Sequence, residues 1–287
     1  MAGDAAPSDA APPGEGPPED AVLRRVDDGV CWITLNRPKA GNAISADMRD
    51  QVVVWLEEAS ADLAVRVVVL TGAGDKGFCT GADLRTRAPG PARPAGAPER
   101  ATGDAARLIR TGWQRLVSAV LDCEKPVIAA VNATAAGGGM HLALACDLVL
   151  AAEEARFIEV FVRRGIAPDA GGAYLLTRLV GPQKAKELFF YGDDVPAVDA
   201  ERLGLVNRVV PRAELLAEAD RWARRLATGP TKAIGLTKSL VNRALESDRT
   251  TALWDEAVAQ ELVTGTQDCA EGLAAFAERR PPVFTGW

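Results

Sequence analysis

The sequence predicts an α/β core followed by a helical C-terminal region. Three observations carry this. Apolar runs of strand length, at 66–71, 126–131 and 148–152, alternate with longer stretches of helical spacing. Glycine clusters stand at the ends of these runs, at 72, 77 and 81 and again at 137–139. After Pro211 the pattern turns almost wholly helical, to Glu278.

Taken in order, residues 1–20 are rich in Ala, Pro, Gly and acids, with neither a basic start nor an apolar centre, and read as a disordered tail rather than a secretory signal. A strand is expected over 31–36. A helix over 45–61 starts at Ser45, a residue suited to capping. A buried strand follows over 66–71. Residues 86–103 hold four prolines and three glycines and read as a loop or flap. One helix is expected over 104–122, then the strand 126–131, a glycine-led helix, and strands over 148–152 and 156–160. Helices over 172–179 and 182–191 and a short strand over 205–210 complete the core. Breaks at Pro230 and Gly265 divide the helical end. The division is therefore a tail at 1–20, a core at 21–210 and a helical region at 211–287.

Composition narrows the classes. The 287 residues are 48% hydrophobic, enough for a substantial core, and carry a net charge of −6 without a basic cluster. That speaks against a nucleic-acid surface and an anionic membrane, and no apolar run is long enough to span a bilayer. The five cysteines are scattered with no Cys-x-x-Cys, which suggests reduced thiols in a cytoplasm. With a single histidine, His141, no metal site is expected.

The segment Ala135–Asp147 holds the chemistry. Three glycines open an apolar helix directly after a strand, so ligand atoms can approach the backbone. Its first N–H groups have no helical partner and stand at the positive end of the dipole, a place for a phosphate or an oxyanion. His141 lies one turn inside. A second segment, Lys76-Gly-Phe-Cys-Thr-Gly-Ala-Asp-Leu84, follows another buried strand in the same way.

Together Phe78-Cys-Thr-Gly-Ala-Asp83 and Ala136-Gly-Gly-Gly-Met140 resemble the enoyl-CoA hydratase/isomerase (crotonase) superfamily. So do Leu35-Asn-Arg-Pro-Lys-Ala-Gly-Asn-Ala43, Gly165-Ile-Ala-Pro-Asp-Ala-Gly-Gly172, and the ending from Glu271-Gly-Leu-Ala-Ala-Phe276 to Arg280-Pro-Pro-Val-Phe284. The order and spacing of all five, from about Val22 to Trp287, carry the resemblance. It implies a ββα spiral core and a helical region that packs subunits into a homotrimer or a dimer of trimers. It also implies an acyl-CoA thioester substrate, with CoA entering as part of that substrate and no separate cofactor.

By the same resemblance the N–H groups of Ala82 and Gly138 form the oxyanion hole for a thioester enolate. Lys39 and Ala40 lie near the CoA nucleotide, and Asp83 and Leu84 beside its adenine. Hydratases of this superfamily carry two glutamates, at the positions that here are His141 and Phe161. Asp169 stands where members that move a double bond keep a single carboxylate, and isomerisation with Asp169 as proton shuttle is the expected reaction. Hydration by a different acid/base set drawn from Asp169, His141 and Glu159 is the alternative, ahead of an acyl-CoA dehalogenase or a non-catalytic acyl-CoA binder. Taken from the residues alone, Asp169 also fits a helix cap, and Glu159 a surface partner of Arg163 or Arg164. Phe161 and Phe157 are candidates for an apolar wall around Asp169, and His141 for a pocket-lining or acid–base group.

Overall fold

The computed structural model describes residues 20–85, 93–98 and 101–287. Residues 1–19 of the expected tail, and parts of the expected flap, lie outside these. Strands β1 (Val22–Asp27) and β2 (Val30–Leu35) form an antiparallel hairpin. Its two-residue loop, Asp28-Gly29, has positive φ at both positions (44° and 79°), as the tightest hairpins require. Helix α1 (Ala46–Ala61) follows, its first turn capped by Ser45, whose hydroxyl accepts from Met48 N–H. Then come β3 (Val67–Gly72) and β4 (Gly77–Cys79).

The single helix expected over 104–122 is two, α2 (Asp104–Thr111) and α3 (Trp113–Leu121). Gly112 breaks it, with φ −102° and ψ −105°. A Cβ on Gly112 would stand 2.5 Å from the Leu108 carbonyl and 2.9 Å from the Arg49 guanidinium, so only glycine fits. Next are β5 (Val127–Val131), β6 (Thr134–Ala136), α4 (Gly138–Ala145), β7 (Leu148–Ala152) and β8 (Arg156–Ile158). The last of these ends two residues sooner than its apolar run, because Phe161 has already turned into the helical region. Helix α5 (Gly172–Tyr191) joins the two expected segments across a kink at Gly181. β9 (Asp194–Pro196), α6 (Ala197–Arg202) and β10 (Arg208–Val210) lead to four helices, α7 (Leu215–Ala227), α8 (Thr231–Ala244), α9 (Arg249–Thr264) and α10 (Gln267–Glu278).

The strands form two sheets. One has the order β1-β2-β3-β5-β7-β10, parallel from β2 onward; the other has the order β4-β6-β8-β9. Each of β3, β5 and β7 in the large sheet is followed by a neighbour in the small sheet and then by helix. The chain therefore winds as a ββα spiral, in which the ends of β3, β5 and β7 feed the same seam.

Burial on both faces of the large sheet explains its near-continuous apolar strands. Cys31, Ile33, Val68, Leu70, Val127 and Ala129 face the main core with α1, α3 and α4. The alternate residues Val30, Trp32, Val67, Val69, Ile128, Leu150 and Ala152 face Leu215, Ala219, Ala223 and Ala227. These four recur every fourth residue along α7, and three alanines let the helix lie close to the sheet. Lys238 on α8 is buried, pairs with Asp147 at 2.9 Å and donates to the Val120 carbonyl at 2.8 Å, so the helical end is tied to the start of β7. No helix among the described residues is long and apolar enough to cross a membrane.

Candidate active site

The seam between the sheets brings the two glycine segments together. Asn42, fully buried with φ 55°, ties the approach. Its side chain accepts from Arg37 N–H and donates to the carbonyls of Ala73 and Gly77. Beyond β4, Ala82 lies opposite Ile44 in an isolated parallel bridge. Ile44 N–H donates to the Gly81 carbonyl at 2.9 Å, and Asp83 N–H to the Ile44 carbonyl at 3.0 Å. In such a bridge the central residue's own amide points to the other side. The Ala82 N–H accordingly has no backbone acceptor among the described residues.

The other side is the start of α4. A Cβ on Gly81, whose φ is +95°, would lie 3.2 Å from the Ala136 carbonyl and 3.7 Å from Gly138 N. Gly137 caps α4 with φ 53° and without a side-chain hydrogen bond, and the Gly138 amide is one of the helix's orphan donors. Packing forces glycine at these positions. A Cβ on Gly139 would stand 2.0 Å from the Cys79 carbonyl, and one on Gly138 would meet the Trp113 ring at 2.9 Å. Ala82 and Gly138 thus sit in neighbouring backbone segments whose carbonyls and Cα atoms are already in contact. Beside them Cys79 is no nucleophile, since complete burial pushes its thiol up to about 12.

Asp169 lies in the turn before α5. It is not the cap: Gly171, with φ 75°, holds that position, and no side chain bonds to the first turn. The Asp169 main-chain carbonyl accepts from Gly172 N–H at 3.0 Å, while the carboxyl group is half-buried with no side-chain partner among the described residues. Burial raises its pKa above the ordinary aspartate value, against a smaller opposing effect of nearby His141.

His141 itself is fully buried and boxed in by aromatics. Phe161 stacks on it at 5.2 Å and 12°, and Phe189 meets it edge-on at 6.4 Å. Gly172 lies directly on the imidazole, because a Cβ there would stand 2.0 Å from Cε1 and Nε2. The turn that carries Asp169 therefore rests on the His141 ring. His141 and Phe161, where the resemblance leads one to expect the two hydratase glutamates, stack on each other instead.

Glu159 overturns its expected surface role. It is 2% exposed, and both its oxygens lie 3.0 Å from His141 Nε2; Arg163 pairs with Asp194 instead. The turn after β8 brings the pair together across a sequence separation of 18. A signal for it was available: Phe157-Ile-Glu-Val-Phe161 sets one acid among apolar residues, and a buried acid needs a partner. Phe157 is packed in the main core, in register with Ala135, whereas Phe161 lies against both Gly137 and His141.

The residues expected at the nucleotide divide. Lys39 is exposed in a single helical turn, Pro38–Ala40, with Ala40 half-buried, and Leu84 is exposed. Asp83 is already engaged. Its buried carboxylate pairs with Arg37 at 2.8 Å and Arg85 at 3.2 Å. Burial opposes its ionisation, but the bonds from those arginines prevail and hold it below the usual carboxylate range. Only its backbone is therefore free to meet a ligand. Among the described residues no group of three His, Cys, Asp or Glu side chains is placed to hold a metal ion.

Comparison with known proteins agrees with this fold. The family model described as enoyl-CoA hydratase/isomerase matches residues 25–287. The chain is 38% identical to the 1,2-epoxyphenylacetyl-CoA isomerase of Escherichia coli, over 92% of this chain and 98% of that protein. It is 36% identical to the crotonyl-CoA hydratase of Syntrophomonas wolfei, over 93% and 98%. Among solved structures, the enoyl-CoA hydratase from Bacillus anthracis superposes with a TM-score of 0.84 at 35% identity, covering 93% of this chain and all of that one.

Proposed function

The chain belongs to the enoyl-CoA hydratase/isomerase family, an enzyme family acting on acyl-CoA, and on that premise we propose that it moves a double bond in an enoyl-CoA thioester with Asp169 as the single proton shuttle. The observation that carries this reading is the state of the carboxylates. Glu159 is committed to His141 and Asp83 to two arginines, whereas Asp169, in the turn that rests on the His141 ring, is half-buried and has no side-chain partner among the described residues.

In this reading the Asp169 carboxylate takes a proton from C2 of a 3-enoyl thioester. The electron pair moves onto the thioester oxygen, which accepts hydrogen bonds from Ala82 N–H and Gly138 N–H. Asp169, now a carboxylic acid, returns the proton to C4 as the dienolate collapses to the 2-enoyl thioester. C2 and C4 lie on one face of a planar dienolate, so one base serves both. A pKa raised by burial makes the carboxylate a stronger base and a slower loser of its proton, which suits a shuttle. CoA enters with the substrate, with Lys39 and Ala40 near its phosphates and the Asp83–Leu84 backbone near its adenine. Trp113, against Gly138, bounds the acyl group.

Hydration is the second reading. The buried His141–Glu159 pair favours it, as a base that would activate water while Asp169 supplies the proton at C2. One experiment tests both. The protein is given 3-enoyl-CoA and 2-enoyl-CoA in D₂O and followed by NMR. Isomerisation with deuterium at C2 and C4 and no 3-hydroxyacyl product is expected. A 3-hydroxyacyl product from the 2-enoyl ester would replace the first reading by the second.

A homotrimer or dimer of trimers is part of the proposal. Leu253, Trp254, Val258 and Leu262 form an exposed apolar stripe along α9, with Phe276 on α10. Sedimentation should give three or six chains per particle, and a monomer would exclude it. The five free cysteines suit a reducing compartment, the cytoplasm.

A further inference from the structure

The isomerase reading leaves Glu159 and His141 without a task, yet their geometry is specific. The Glu159 side chain is buried, and both its oxygens are equally distant, at 3.0 Å, from His141 Nε2. A carboxylic acid donating to a nitrogen does so from one oxygen. Two equal distances fit an N–H on Nε2 aimed between two carboxylate oxygens. In a neutral imidazole the other nitrogen is then an acceptor. That atom, Nδ1, is buried and has no partner among the described residues.

The surroundings offer nothing to fill the gap. Phe161 and Phe189 flank the ring with carbon, and Gly172 covers its Cε1 corner with a Cα. An unpaired buried acceptor costs about 1–3 kcal/mol. A fold that merely needed a filler beneath Gly172 would be better served by an apolar side chain, and would not bury a carboxylate to hold it. The whole ring edge lies under the turn that carries Asp169, since a Cβ on Gly172 would be 2.0 Å from Nε2 and 2.6 Å from Nδ1, and the Gly172 amide closes that turn onto Asp169.

We propose that Glu159 is a positioning residue that fixes His141 as the Nε2–H tautomer, so that the imidazole is held in one orientation beneath the turn that carries Asp169, with Nδ1 as an acceptor. The site then has two groups held by different means: a half-buried aspartate in its turn and an imidazole whose orientation is set by a carboxylate behind it. The role in turnover rests on the acyl-thioester reading above, whereas the tautomer belongs to the ligand-free protein and is tested there.

His141 is the only histidine in the chain, so a long-range ¹H–¹⁵N spectrum of the uniformly labelled full-length protein at neutral pH contains one imidazole. The expected pattern is a protonated Nε2 and a bare Nδ1. An Nδ1–H tautomer or a doubly protonated ring overturns the proposal, whatever any variant does and whether or not Asp169 proves to be the shuttle. Glu159→Gln replaces the anion by a neutral amide of the same shape. It should mix the tautomers and lower kcat by about 10²-fold with KM unchanged. Wild-type tautomer and kcat in this variant overturn the positioning role. Should Glu159→Gln fail to fold, Glu159→Asp keeps the charge but withdraws it by one methylene. An intermediate kcat is then expected, and wild-type kcat with a shifted tautomer overturns the role.

Discussion

Helices α4 and α5 begin alike and do different things. Each is led by glycines, capped by a glycine of positive φ, and left without a side-chain hydrogen bond in its first turn. In α4 every residue is buried, and the first turn is pressed onto the Cys79 carbonyl and the Trp113 ring. In α5 the turn before the helix is only partly covered and holds a carboxyl group. An orphan donor locked in a packed wall keeps its direction and waits for charge that develops only on a ligand. A titratable group at a half-open turn keeps its proton exchangeable. One sequence signal, a glycine-led helix, thus supplies the fixed donor of the proposed site in one place and its mobile proton in the other.

The strongest way to break this comparison is Asp169→Asn. The substitution keeps shape and removes the base, so isomerisation of 3-enoyl-CoA should fall by about 10²–10⁴-fold, while CoA-thioester binding persists by calorimetry. Undiminished turnover would move the proton to another group. Next comes the donor. Gly138→Pro deletes an N–H at a helix position where proline is tolerated, and Gly138→Ala adds a Cβ without deleting it. Both meet Trp113, so the difference between them isolates the amide, and it should amount to about 10²–10³ in kcat. Equal rates for the two variants would show that Gly138 is packing alone.

The pH dependence sharpens the contrast, because the turn before α5 carries the unpaired carboxyl group. Burial raises the Asp169 pKa, and the shuttle starts as the carboxylate. Turnover should therefore fall as pH is lowered through a value above the ordinary aspartate range, and this acid limb should be insensitive to changes at Gly138. The stability effect has the opposite sense. The native state binds this proton more tightly than the unfolded chain, so wild type loses stability relative to Asp169→Asn as pH rises from the ordinary aspartate value through the raised one. Below that window the two proteins should have the same urea midpoint, and above it the variant should be the more stable.

The two helix starts also differ in how readable they were. The strands of the large sheet other than β1, and both glycine-led helices, follow from apolar runs and their punctuation. The place of Asp169 in the turn before α5 was legible because its motif is local. The three-residue strands β4, β6 and β9 were not, since strands this short are defined by partners the spiral supplies rather than by their own pattern. β1 escaped notice although Asp28-Gly29 marks its hairpin. Glu159 was misplaced on the surface because its partner is 18 residues away and reached only through the turn after β8. Trp113 was hidden by the expectation of an unbroken helix through Gly112, whereas the break there lets α3 begin at Trp113, whose ring meets Gly138.

The smallest effect belongs to a helix that is capped in the ordinary way. Asp248 accepts from the amides of Thr250 and Thr251 at 2.8 and 3.1 Å, and these bonds hold its carboxyl below the usual range. This helix start, that of α9, spends two of its orphan donors on its own capping side chain. Asp248→Ala should therefore lower the urea midpoint slightly and leave kcat as it is. If α4 and α5 were uncapped only because glycine packs well there, a cap introduced at either should be as harmless to turnover as the loss of this one. Gly171→Ser is that test. It places a capping hydroxyl at the start of α5, where Val117 is the only neighbour a Cβ would meet, at 3.4 Å. Its positive φ makes the serine strained, so stability is expected to fall slightly. The larger consequence should be a lower kcat, as a hydroxyl now competes for the first-turn amides beside Asp169. A stable variant with unchanged kcat would show that the open helix start at α5 is a matter of packing and not of chemistry.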